Sequence, residues 1–128
     1  MYISSGGVHR GTITMGTSAA VTVSNGGVID LSISGKAPGG GYIINDISCI
    51  SGSPSFTLTV SAQQAHGTYK LAGGAQNFNK TITIGSNALA VNGAAVNYNN
   101  ASYKLVRSNG DLSVVVDDID TTPPDALI

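Results

Sequence analysis

Ile3-Ser4-Ser5-Gly6-Gly7-Val8 and Val23-Ser24-Asn25-Gly26-Gly27-Val28 are two copies of one phrase, set twenty residues apart. The agreement continues beyond them, with Thr12-Ile13-Thr14 answered by Ser32-Ile33-Ser34. A fixed period, with apolar residues and paired glycines in constant places, marks a chain that coils on itself, each turn stacking on the last. Short runs such as Gly11-Thr12-Ile13-Thr14-Met15 and Ala20-Val21-Thr22-Val23-Ser24 alternate apolar and polar residues. Such runs read as strands, whose successive side chains point to opposite faces. Glycine pairs permit sharp corners between those strands, because glycine tolerates positive φ. A parallel β-solenoid with a turn of about twenty residues is the economical fold.

Further along, the pattern changes. A third copy is expected from Ile43, with Asn45-Asp46 in place of the glycine pair, so residues 42–61 read as a transitional turn. Gly35-Lys36-Ala37-Pro38-Gly39-Gly40-Gly41 reads as a loop projecting from the stack. Thr68-Tyr69-Lys70-Leu71-Ala72 then recurs as Ser102-Tyr103-Lys104-Leu105-Val106, thirty-four residues on. Each is followed by a break and a second strand, Lys80-Thr81-Ile82-Thr83-Ile84 in one case and Leu112-Ser113-Val114-Val115-Val116 in the other. Asn109-Gly110 suits the tight turn of a hairpin, and Asn92-Gly93 marks another turn. Pro123 and Pro124 cannot donate to a ladder, so the acidic end leaves the sheet. The organisation expected is solenoid turns over 1–61, a strand and hairpin cap continuous with them over 62–117, and a linker toward a following domain over 118–128. Because Met1 leads straight into a repeat, the chain reads as an excerpt of a longer polypeptide.

Composition narrows the function. Only 13 of 128 residues are charged (6 Lys and Arg, 7 Asp), so the polar surface must come from hydroxyls, amides and backbone. A net charge of −1 with scattered cations does not provide the basic surface that phosphate binding requires, so nucleic acid is not an expected partner. No apolar run approaches the ~18 residues that span a bilayer. Cys49 is the single cysteine and excludes an internal disulfide; between Ile47 and Ile50 it reads as a buried thiol.

Carbohydrate-cleaving enzymes need paired carboxylates at a set separation. The acids here are Asp30, Asp46 and Asp111, with Asp117, Asp118, Asp120 and Asp125 crowding the tail, and no convincing pair emerges. No catalytic residues and no cofactor are expected. Asp117, Asp118 and Asp120 supply hard oxygen ligands within four positions, which suits calcium at a domain junction; a solvated linker is the alternative reading. The Thr pairs at 12/14, 57/59 and 81/83 recur at intervals of 45 and 24, too irregular for an ice-binding rank and in keeping with half-exposed strands. Tyr42, Tyr69, Tyr98 and Tyr103 offer aromatic faces for sugar stacking. Tyr69 and Tyr103 are the pair repeated in matching places, where packing is the competing reading.

The Ser-Ser/Asn-Gly-Gly-Val units resemble the glycine-rich repeats of AIDA-type autotransporter adhesins, over residues 2–35 and more weakly to 60. The resemblance implies a surface-displayed right-handed parallel β-helix used in adhesion or as a stalk. The Asp-Asp-Ile-Asp-Thr-Thr-Pro-Pro tail resembles linkers that follow such repeats in large bacterial surface proteins. The expectation is thus an all-β, non-enzymatic stalk or adhesive module of a bacterial surface or secreted protein. Its partners would be other domains of the same polypeptide and a host-surface protein or glycan, with end-to-end self-association through the open first turn. A carbohydrate-binding module, or a phage-fibre scaffold, is the rival.

Overall fold

The computed structural model describes residues 2–14, 20–52 and 54–118. Among the described residues, twelve strands make up three sheets. They are β1 (Tyr2–Ile3), β2 (Val8–Arg10), β3 (Val21–Val23), β4 (Val28–Ser32), β5 (Ile50–Gly52), β6 (Ser55–Thr59), β7 (Gly67–Ala72), β8 (Ile82–Ile84), β9 (Asn87–Leu89), β10 (Val96–Tyr98), β11 (Ala101–Ser108) and β12 (Asp111–Asp117). A short 3-10 turn over Ile47–Cys49 is the one helical element among the described residues. None of their helices is long and apolar enough to cross a membrane.

The all-β expectation holds, and the sheets are mixed rather than one uniform closed solenoid. The first sheet, β1-β3-β5, is parallel throughout. The second runs β2-β4-β6-β8 in parallel and ends with antiparallel β9. Isolated parallel bridges join Ile13 to Ile44 and Ile44 to Ala72. The antiparallel sheet β10-β11-β12-β7 completes the molecule.

The twenty-residue phrase sets the first register: Tyr2 lies on Thr22 and Val8 on Val28. The second step is longer, with Val21 on Ile50 and Val28 on Ser55. The third copy expected from Ile43 is not there. Ile44 instead bridges Ile13 and Ala72, and the next turn of parallel strands opens at Ile50. The extra length is the glycine-rich loop, which does not project. Gly39 N donates to Thr68 O at 3.0 Å, and a Cβ on Gly67 would meet the Pro38 ring at 2.4 Å, so the loop lies down on β7.

In-register parallel pairing stacks like on like. Ile29, Phe56 and Ile82 form one buried column, Leu31 and Leu58 a second. Val23 lies beneath Ile3, while Ile44 and Ala72 are both fully buried. Burying each large side chain contributes roughly 1.5–3 kcal/mol, so these columns stabilise the fold together with the equally buried face of the antiparallel sheet. The parallel register does not stop near residue 61; it reaches Ile82 and Thr83 through β8.

The tyrosine-marked strands are neighbours of a common partner. β7 and β11 flank β12, with Tyr69 opposite Val114 and Val114 opposite Leu105. The Asn109-Gly110 hairpin forms as expected, Ser108 facing Asp111 and Asn109 at φ 55. The Asn92-Gly93 turn forms too, Gly93 N donating to Ala90 O at 2.9 Å. β8, however, is not the hairpin partner of β7. It joins the parallel ladder and turns through Gly85, at φ 60, into β9.

Candidate functional site

A groove forms because two sheets end at different depths. The first sheet stops at β5, whereas the second goes on to β8. Between Gly73 and Thr81 the chain therefore passes below β5 without pairing as a strand. It is pinned at several points. Ile47 N donates to Gly73 O at 2.9 Å, Ala75 N to Gly110 O at 2.8 Å, Phe78 N to Ala75 O at 3.0 Å, and the Arg107 guanidinium to Phe78 O. Gly74 is required where the two walls meet, at φ 65, since a Cβ there would fall 2.0 Å from Asp46 Oδ1.

The resulting cavity has a volume of about 490 Å³, within the ~300–1,000 Å³ of small-ligand pockets. Ile47, Ile50 and Phe78 supply apolar lining, and Phe78 is held edge-on to Phe56 at 5.4 Å between ring centroids. Ser48, Gln76, Asn77 and Asn79 add a hydroxyl and three amides. Among the described residues, Lys80 contributes the only charge to the lining. It also lines a second cavity of about 360 Å³ with Ser55, Thr81 and Thr83.

Beside the groove, Asp46 caps the 3-10 turn, accepting from Ser48 N at 3.0 Å, Ser48 Oγ at 2.5 Å and the Cys49 thiol at 3.5 Å. The Ser48 hydroxyl holds the Asp46 carboxyl below the usual carboxylate range. Desolvation, then the Asp46 hydrogen bond and charge, push the Cys49 thiol up. Cys49 is partly buried against the core, as a structural thiol rather than an activated nucleophile.

The structure places the predicted site residues differently. Tyr69 is 3% exposed; its hydroxyl donates to Ala65 O at 2.6 Å and accepts from Gln64 Nε2 at 3.1 Å. Tyr103 is fully buried, edge-on to Tyr98 at 6.5 Å, with its hydroxyl unpartnered. Neither ring presents the open face that sugar stacking requires, because both sit on the inward side of the antiparallel sheet. Tyr42 is the exposed tyrosine; it donates to Asp111 at 2.6 Å, lies under Lys70 Nζ at 5.2 Å, and has its pKa raised chiefly by that hydrogen bond.

Asp117 is the last residue of β12, Asp118 follows it, and Asp120 falls outside the described residues. His66 joins the first two, with one ligand atom from each within 4.8 Å of the others. All three are exposed, and His66 Nε2 sits 3.4 Å from Asp118 Oδ1. An imidazole is a poorer ligand for calcium than a carboxylate.

Sequence reasoning missed two constellations. Asp30, 2% exposed, accepts from Arg10 Nε at 2.9 Å, Thr57 Oγ1 at 2.6 Å and Thr59 Oγ1 at 2.9 Å, joining three successive turns. Overlaying the two phrases already sets Arg10 above Asp30, so half of this clamp had a signal. The groove had none, since it follows from a strand that the first sheet lacks. No family model matches the chain, and neither a curated protein nor a solved structure matches it.

Proposed function

We propose that this chain is a non-catalytic structural or adhesive module of a bacterial surface or secreted protein, built as a short right-handed parallel β-helix whose end is closed by antiparallel strands. The observation that carries the reading is the in-register stacking of successive turns, Val8 on Val28 on Ser55 and Ile29 on Phe56 on Ile82. Turns spaced ~4.8 Å apart and tied by ladder hydrogen bonds make a stiff stem that can hold loops at a distance from its attachment. Its partners are other domains of the same polypeptide and host-surface molecules. Among the described residues β1 and β2 each have a neighbour on one side only, and Val8 is 56% exposed, which favours end-to-end self-association. Antibody raised against the chain tests the placement. Labelling of intact source cells is expected, and a signal confined to permeabilised cells would overturn it.

A second reading, a carbohydrate-binding module, draws support from one observation: the groove beneath β5 combines apolar side chains with a hydroxyl and three amides. Amides and hydroxyls match the paired donors and acceptors of sugars, and aliphatic and aromatic carbons suit their CH faces.

A further inference from the structure

We infer that the groove beneath β5 binds an acidic oligosaccharide, with a sugar carboxylate over Lys80; this rests on the carbohydrate-binding reading. Three observations point the same way. First, the lining is almost wholly neutral. Ser48, Gln76, Asn77 and Asn79 offer both donors and acceptors, and no carboxylate among the described residues lines either cavity. Asp46, next to the lining residue Ile47, has its oxygens engaged by Ser48 and Cys49. Second, Lys80 is exposed and is the one cation among the described residues that line the two cavities, so an anion in either finds the same partner. A ligand that follows both must be extended, and Thr81 and Thr83 add hydroxyls along the second cavity. Third, the walls are set before binding. The loop below β5 is tied to the β11–β12 hairpin through Gly110 and Arg107, and Phe78 is fixed by Phe56. A preformed groove avoids the ordering cost that weakens binding by free loops.

A linear ligand with repeated hydroxyls and an occasional carboxylate fits this lining. An acidic peptide has the charge but would leave most of the side-chain amides facing its own side chains rather than its backbone. The test uses the whole chain and a galacturonic-acid hexamer, followed by NMR shifts and calorimetry. Its fully methyl-esterified form and hexaglutamate serve as comparisons. Shifts are expected at residues 47–50 and 74–83. Lys80→Gln and esterification should each weaken binding by about threefold to tenfold, the range for a solvent-exposed charge-assisted contact, and added salt should act in the same direction. Asn77→Ala should weaken the acidic and the esterified hexamer alike. Unchanged thermal melting checks that both variants fold. Equal binding of the two hexamers, or indifference to Lys80→Gln, overturns the carboxylate assignment while leaving the carbohydrate reading in place. Hexaglutamate binding as tightly as the sugar acid, or no binding by either hexamer, overturns both.

Discussion

Replacing Asp30 with alanine probes the joint between turns. The Asp30 carboxylate is 2% exposed and takes hydrogen bonds from Arg10 above and from Thr57 and Thr59 below. Each hydrogen bond to a charged group contributes about 1.5–3 kcal/mol net, but the sum overstates the loss. Deleting the carboxylate also removes its desolvation cost, and the Arg10 side chain, 65% exposed, regains water. What stays uncompensated is two half-buried threonine hydroxyls and the vacated space, so Asp30→Ala should cost about 2–4 kcal/mol. Arg10→Ala leaves the carboxylate with its threonine donors and should cost about 0.5–1 kcal/mol. Thr57→Val with Thr59→Val strips the buried side of the clamp and should approach the Asp30→Ala loss. Urea unfolding followed by far-UV circular dichroism, with m-values compared to ensure a common unfolded state, reads all three. A loss under about 0.5 kcal/mol for Asp30→Ala would refute the clamp. So would Arg10→Ala proving as costly as Asp30→Ala, for then the exposed ion pair would be the main contributor.

Other perturbations follow from single contacts. Tyr103→Phe removes a buried hydroxyl without a partner and should leave stability unchanged or raise it by up to about 1 kcal/mol, whereas Tyr69→Phe, which breaks two hydrogen bonds, should lose about 1–2 kcal/mol; urea midpoints that reverse this order would contradict the packing. Burial, ahead of the charges of Tyr69 and Tyr98, raises the Tyr103 pKa above its ordinary value. The folded state therefore keeps its full Tyr103 contribution below the unfolded tyrosine pKa of ~10 and loses it as pH rises toward the folded value, so Tyr103→Phe should flatten the alkaline fall in melting temperature. Gly52→Ala forces a Cβ to within 1.9 Å of Val23 O at φ 96 and should cost on the order of 3 kcal/mol or more, while Gly41→Ala, with open space around it, should be close to neutral in the same melts. Cys49 should react slowly with a thiol-specific disulfide at neutral pH, and Asp46→Asn should speed it by favouring the thiolate; an unchanged rate would show that burial alone governs the thiol.

Much of the local structure was legible from residue order. The repeated Ser-Gly-Gly corners, the alternating strands and the two Asn-Gly turns all follow from short-range stereochemistry, in which φ and side-chain alternation are decided within a few residues. So does the first register, because equal spacing sets Val8 on Val28. The later register was hidden by the loop before Tyr42, whose length nothing local announces and whose docking on β7 depends on Pro38 reaching Gly67. Matching strands misled for a similar reason. Tyr69 and Tyr103 share a motif because each flanks β12, a relation of sheet order that leaves the following strands free to go elsewhere.

By itself the sequence determined that this chain forms short strands, turns at glycine and asparagine, and builds an all-β interior from Val, Ile and Leu. Tertiary structure alone decided which polar groups meet: Asp30 with threonines from the turn below, His66 with the β12 acids, and Lys80 between two cavities. The physical reason is range. Backbone preference acts over a few residues, whereas these contacts join positions 20 to 52 apart, brought together by strand register and by where each sheet stops.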